Sequence, residues 1–82
     1  MPQQTQVKTT RQRFDDIVMN LTGLDEMPPD TTNLTIDLDF DELDHAELAW
    51  AIEDEFEVAM DDGEMEDAAT IGQLLQLLER SL

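Results

Sequence analysis

From Phe14 to Glu79 the chain carries no lysine and no arginine, and all 21 of its acids fall inside that stretch. Only His45 interrupts it, and the four basic residues, Lys8, Arg11, Arg13 and Arg80, flank it. With a formal net charge of −17 over 82 residues, any compact state holds like charges together. An apolar core must offset that repulsion. The core is limited, because a chain this short forms a single domain burying about 60% of its unfolded surface. High charge with low hydrophobicity leaves a chain disordered, but here 40% of the residues are apolar and they recur periodically. The sequence therefore reads as one folded acidic domain over residues 5–82, preceded by a polar lead-in, residues 1–4.

The same features exclude whole function classes. Nucleic acids and anionic membrane surfaces need positive charge on their partner, so neither is expected, whereas a basic protein surface is. Cysteine is absent, which removes disulfides, thiolate zinc sites and cysteine nucleophiles. No apolar run approaches the ~18 residues of a membrane span. Met1 to Thr10 lacks the apolar core of a secretory signal. A cytoplasmic monomer is the expectation. Repulsion among the acids also favours protonation of the compact state. Stability is therefore expected to rise as pH falls from neutral, and to rise with salt or Mg²⁺.

Periodicity predicts helices and no sheet. Val7, Phe14, Ile17, Val18 and Leu21 share one face of a helix from about Thr5 to Asn20, with Gly23 as its stop. Pro28-Pro29 forbids a helix in Leu24–Phe40, and Asp30-Thr31-Thr32-Asn33 is turn chemistry. Leu24, Met27, Leu34, Ile36 and Leu38 read as anchors pinning this long loop onto the helices. A second helix runs from about Asp41 to about Glu57, capped by Asp41 with Asp44 three residues on. Its apolar surface is Leu43, Ala46, Leu48, Ala49, Trp50, Ala51, Ile52 and Phe56, with Trp50 expected in the core or half-buried, the alternative being an exposed aromatic on a docking face. After the turn Asp61-Asp62-Gly63, Glu64–Ala68 forms one short helical turn held by Met65. Thr70 and Gln73 form a capping box for a last helix, with Ile71, Leu74, Leu75, Leu78 and Leu82 on its inner face. Met19, Met27, Met60 and Met65 read as core fillers.

The run Asp37-Leu38-Asp39-Phe40-Asp41-Glu42-Leu43-Asp44-His45-Ala46-Glu47-Leu48 resembles the signature region of acyl and peptidyl carrier proteins. There the pattern D-L-G-x-D-S-L-D-x-x-E-L ends a long loop and opens the second helix. Ile52-Glu53-Asp54-Glu55-Phe56 is similar to the family's acidic end of that helix, and Thr70-Ile71 to its entry into the last one. The resemblance spans about Arg11 to Leu78. It implies an all-α, acyl-carrier-protein-like four-helix bundle, three main helices and one short, with a long loop between helices one and two. It also implies docking on the basic patch of a carrier-handling enzyme through Asp41, Asp44, Glu47, Glu53 and Asp54.

Two residues depart from the family pattern. Asp39 stands where the family has glycine, at a cost in backbone freedom. Glu42 stands where the family has the serine that carries 4′-phosphopantetheine. That attachment needs a hydroxyl oxygen to attack phosphorus, and a carboxylate would give only a labile mixed anhydride. No cofactor is expected on the chain as written, and 4′-phosphopantetheine only where position 42 is natively serine. The leading expectation is a non-catalytic, carrier-like module that docks through acidic helix two. One alternative is a genuine acyl or peptidyl carrier of fatty acid, polyketide or nonribosomal peptide synthesis whose serine has been replaced. Another is an acidic inhibitor that mimics nucleic acid charge.

The remaining signals are weaker. Asp37-x-Asp39-x-Asp41 begins like an EF-hand loop but has Glu42 and Leu48 where glycine and glutamate are required, so no dedicated metal site is expected. His45 has no serine or cysteine nucleophile near it in sequence and reads as an exposed helix residue, so catalysis is not expected. The pocket that shelters an acyl chain in the resembled family is expected to be filled or vestigial here.

Overall fold

The computed structural model describes residues 8–82; the expected lead-in, residues 1–4, and Val7 lie outside them. The helices are α1 (Thr10–Thr22), α2 (Glu42–Phe56), α3 (Asp62–Asp67) and α4 (Ile71–Ser81). The first helix starts later than its periodicity suggested, because Thr9 caps it. The Thr9 hydroxyl accepts from the Gln12 N–H at 3.1 Å, and Gln12 Oε1 accepts from the Thr9 N–H at 2.9 Å. The helix runs two residues beyond Asn20 and closes at Gly23, whose φ of 75° is free of steric penalty only without a Cβ.

The long connection between α1 and α2 is sewn onto the start of α4. The Ile71 N–H donates to Thr32 O at 3.1 Å, the Gly72 N–H to Asp30 O at 2.9 Å, and the Leu34 N–H to Ala69 O at 2.9 Å. Asn33 and Thr70 form an isolated antiparallel bridge, so the strand-like alternation around Leu34 does find a partner, in the cap of a helix. The Thr70 hydroxyl accepts from the Gln73 N–H. The first three N–H groups of α4, which have no intrahelical acceptor, are thus all satisfied. A Cβ on Gly72 would lie 3.2 Å from Asp30 Cβ and O, so this close approach favours glycine. Arg11 reaches both carboxylate oxygens of Asp30, at 2.7 and 3.2 Å, and ties the loop to α1 as well.

Not every expected anchor holds. Leu34 is buried, and Leu38 and Met27 pack against the core, but Ile36 is 79% exposed and Leu24 is also exposed. Asn33 is the reason for Ile36. Its Oδ1 accepts from the N–H groups of Thr35 and Ile36, at 3.0 and 2.8 Å. This local turn breaks the alternation that would have carried Ile36 inward.

Phe14, Val18, Leu34, Leu48, Ile52, Ile71, Leu74 and Leu78 are fully buried together. Leu75 is buried beside them, and Phe56 packs at the edge. Trp50 is not in this core: it is 67% exposed. The buried stripe of α2 is Leu48 and Ile52, four residues apart, and a residue two positions from each points away from both. Leu43, at 62%, and Leu82, at 60%, are exposed as well. Leu82 follows the last helical residue, and Leu77 is buried instead. The packing surface of α4 is wider than one stripe because α1 and α3 both contact it. Met60 and Met65 are buried, whereas Met19 is half-buried.

Arg13 joins α1 to the far end of α2. Its guanidinium lies 4.3 Å from the Phe56 ring centroid. It also donates to Glu55 Oε2 at 2.9 Å and to Glu55 O at 2.6 Å. A cation there complements the negative end of the α2 dipole and satisfies one of its last carbonyls.

Leu78→Ala removes a fully buried side chain and is expected to cost about 2–5 kcal/mol, read by urea unfolding. An unchanged midpoint would show that α4 does not close the core.

Candidate functional site

The start of α2 is built from two carboxylates that cap each other's backbone. Asp41 Oδ1 accepts from the Asp44 N–H at 2.9 Å, and Asp44 Oδ2 accepts from the Asp41 N–H at 3.0 Å. The Asp44 N–H holds the Asp41 carboxyl below its ordinary value of 3.8. Glu42 is the first helical residue, and both it and Leu43 are exposed. Two residues ahead of the cap, Asp39 has a φ of 58°. This is the left-handed region that glycine enters freely and aspartate tolerates. Asp39 therefore makes a glycine's turn and does not distort it.

His45 is half-buried, not free on the surface. Its ring meets the buried Phe40 edge-on, with centroids 5.5 Å apart, and Nε2 lies 3.4 Å from Thr35 Oγ1. It packs the end of the loop against the first turn of α2.

The five acids singled out in the sequence divide by what they hold. Glu47 and Asp54 are exposed. Asp41 and Asp44 are committed to the cap. Glu53 is half-buried and accepts from the Met60 N–H at 2.9 Å, bracing the link to α3. Leu43, Glu47, Trp50 and Asp54 follow one another at four, three and four residues, so they form one stripe along α2. Leu43 and Trp50 make that stripe part apolar. The spacing of Leu43 and Trp50 from Leu48 and Ile52 puts both off the buried face of α2.

A groove of about 520 Å³ lies between α2 and α3, with Ala46, Ala49, Trp50 and Met65 among its walls. It is open to solvent, and Ala46 and Ala49 contribute only small side chains to its walls. Glu42, His45, Glu53, Asp62 and Glu66 also line it. Among the described residues every lysine and arginine is engaged elsewhere. Lys8 pairs with Asp16, Arg11 with Asp15 and Asp30, Arg13 with Glu55, and Arg80 with Glu64.

Residues 12–78 match the family described as phosphopantetheine attachment site. The chain belongs to that family. Its all-helical architecture, with a long loop before α2, is that of an acyl-carrier-protein-like bundle, and the family makes it a carrier-protein-like module. The prosthetic group of the family needs a hydroxyl, and the first turn of α2, Glu42-Leu43-Asp44, has none. Thr35 Oγ1 sits on the loop beside His45, and Ser81 donates to Leu77 O at the far end of α4. The start of α2 therefore offers no hydroxyl for covalent attachment. Among the described residues there is no cluster of His, Asp and Glu able to hold a metal ion, and no helix is long and apolar enough to cross a membrane.

A pH series of thermal melts tests the Asp41 cap. The folded pKa of Asp41 is lowered from its ordinary value of 3.8, so its stabilisation is complete above the unfolded value and is lost as pH falls through the folded one. The melting temperature should fall along that acid limb. Asp41→Asn keeps a cap that does not titrate, so its melting temperature should converge on that of the unsubstituted chain over this acid limb. Parallel curves throughout would remove the Asp41 carboxylate from the account.

Proposed function

We propose that this domain is a carrier-like module without the carrier's covalent chemistry. It is non-catalytic, and it docks as a monomer through the exposed stripe of α2 on a basic patch of an enzyme that handles carrier proteins. Such an enzyme is a synthase, ligase or transferase, and the setting is the cytoplasm. The observation that carries the reading is Glu42 at the first position of α2. By the resemblance of the flanking residues, Glu42 occupies the place of the family's attachment serine. A carboxylate there keeps a negative charge at a helix N-terminus, where a phosphodiester would otherwise lie, but bears no arm.

Family membership supports a second reading, a working carrier in which position 42 is natively serine. Incubation with coenzyme A and a broad phosphopantetheinyl transferase, followed by intact-mass measurement, addresses both. The chain with Glu42 is expected to gain no mass. Glu42→Ser is expected to fold, losing about 0.3–1 kcal/mol of helix-dipole interaction, and to accept the arm, because Asp39, Asp41 and Asp44 keep the turn and cap. Mass gained by the unsubstituted chain would overturn the reading and direct attention to Thr35. A serine variant that several transferases ignore would oppose the working-carrier reading.

Docking is tested most cleanly at Glu47, since Asp44 and Glu53 also hold the backbone. Glu47→Lys is expected to leave stability within about 0.5 kcal/mol. Affinity for a carrier-handling enzyme should fall roughly 3- to 10-fold at low salt, mostly through the association rate. Unchanged association kinetics, measured by surface plasmon resonance, would take α2 out of the interface.

A further inference from the structure

We propose that the groove between α2 and α3 receives the side chain of an arginine supplied by the docking partner. This rests on the reading that α2 meets a basic surface, and it adds where one of that surface's cations goes. Ala46 and Ala49, with Met65 opposite, leave an apolar channel that suits the methylene stem of a long cationic side chain. The carboxylates around it suit the head. Asp62 and Glu66, four residues apart on α3, form a like-charge pair that destabilises the free helix; Glu42 and Glu53 line the same groove from positions eleven residues apart on α2, so one head meets only one of them, and His45 lines it too. The chain's own arginines and its described lysine are paired elsewhere, so apart from His45 in the groove wall the cation that offsets this crowding comes from outside.

Trp50 decides between kinds of cation. Its indole is largely exposed and belongs both to the groove wall and to the stripe that faces a partner. A planar guanidinium stacks on such a ring and is more weakly hydrated than an ammonium. A neutral acyl chain in the same place would strip water from Glu42, Glu53 and Glu66 with no compensating charge. The chemistry of the walls thus favours an amphipathic cation.

The test uses ¹⁵N-labelled protein at low salt and three probes. They are a short lysine-rich peptide with one central arginine, a peptide of equal charge with citrulline at the centre, and decanoic acid. Affinity is read from Trp50 fluorescence, or from amide shifts for a variant without the indole. Position is read from the amides of Ala46, Ala49 and Met65. The arginine peptide is expected to bind roughly 3- to 30-fold more tightly than the citrulline peptide and to move the groove amides. Trp50→Leu should abolish that preference while the amides of Glu47 and Asp54 still respond to both peptides. Ala46→Leu, which fills the groove, should reduce the preference too. Equal affinities, with shifts confined to the exposed stripe, would overturn the groove proposal and leave docking intact. Failure of both peptides to bind would overturn docking as well. Groove shifts produced by decanoic acid alone would overturn the proposal in favour of an apolar occupant.

Discussion

The seam between the long loop and the first turn of α4 holds the remaining elements in place. It is made of backbone atoms, with Thr32, Asp30 and Ala69 accepting from Ile71, Gly72 and Leu34. A loop between two helices ordinarily runs over solvent because its polar backbone must be satisfied. Here it supplies acceptors that the start of α4 needs, so each segment satisfies the other. With Asp30 also forked by Arg11, the loop links α1 to α4 and delivers Leu34 and Phe40 to the core ahead of α2. The turn at Asp39 and the cap at Asp41 are thereby presented at a defined place.

Charge follows the same division. The side built from α1 and the ends of α2 and α4 carries the described cations, each already paired. The side built from the first turns of α2 and from α3 carries acids that, apart from Glu64 with Arg80, have no lysine or arginine of their own. Such a distribution adds little to stability, because exposed pairs contribute about 0–1 kcal/mol each. It does concentrate negative potential on one face of the molecule.

Helix α2 therefore has two faces with different duties. Leu48 and Ile52 hold the core, while Leu43, Glu47, Trp50 and Asp54 are left outward. An exposed tryptophan on a helix that has a full core stripe elsewhere is a feature of contact surfaces, where aromatic anchors contribute most of the binding energy. The acids that brace the backbone, Asp41, Asp44 and Glu53, lie beside these exposed groups. Substitutions there mix loss of structure with loss of contact, whereas Glu47 and Trp50 separate the two.

Much of this was legible in the residues themselves. The capping boxes at Asp41–Asp44 and Thr70–Gln73, the stop at Gly23, the break at Pro28-Pro29 and the order of the helices follow from local rules, because each depends on atoms a few positions apart. The departures at Asp39 and Glu42 are also matters of sequence, since the absence of a hydroxyl needs no coordinates. The start of α1 was misplaced because apolar spacing extends into residues that a nearby cap excludes. What tertiary structure decided was which apolar residues stay outside and what partners the loop finds. Trp50 and Ile36 are hydrophobic by composition, yet they are exposed because a helix offers one buried stripe and because Asn33 turns the chain. The open groove has the same origin: its walls are brought together by α2 and α3 from positions far apart in sequence, so only their packing could reveal it.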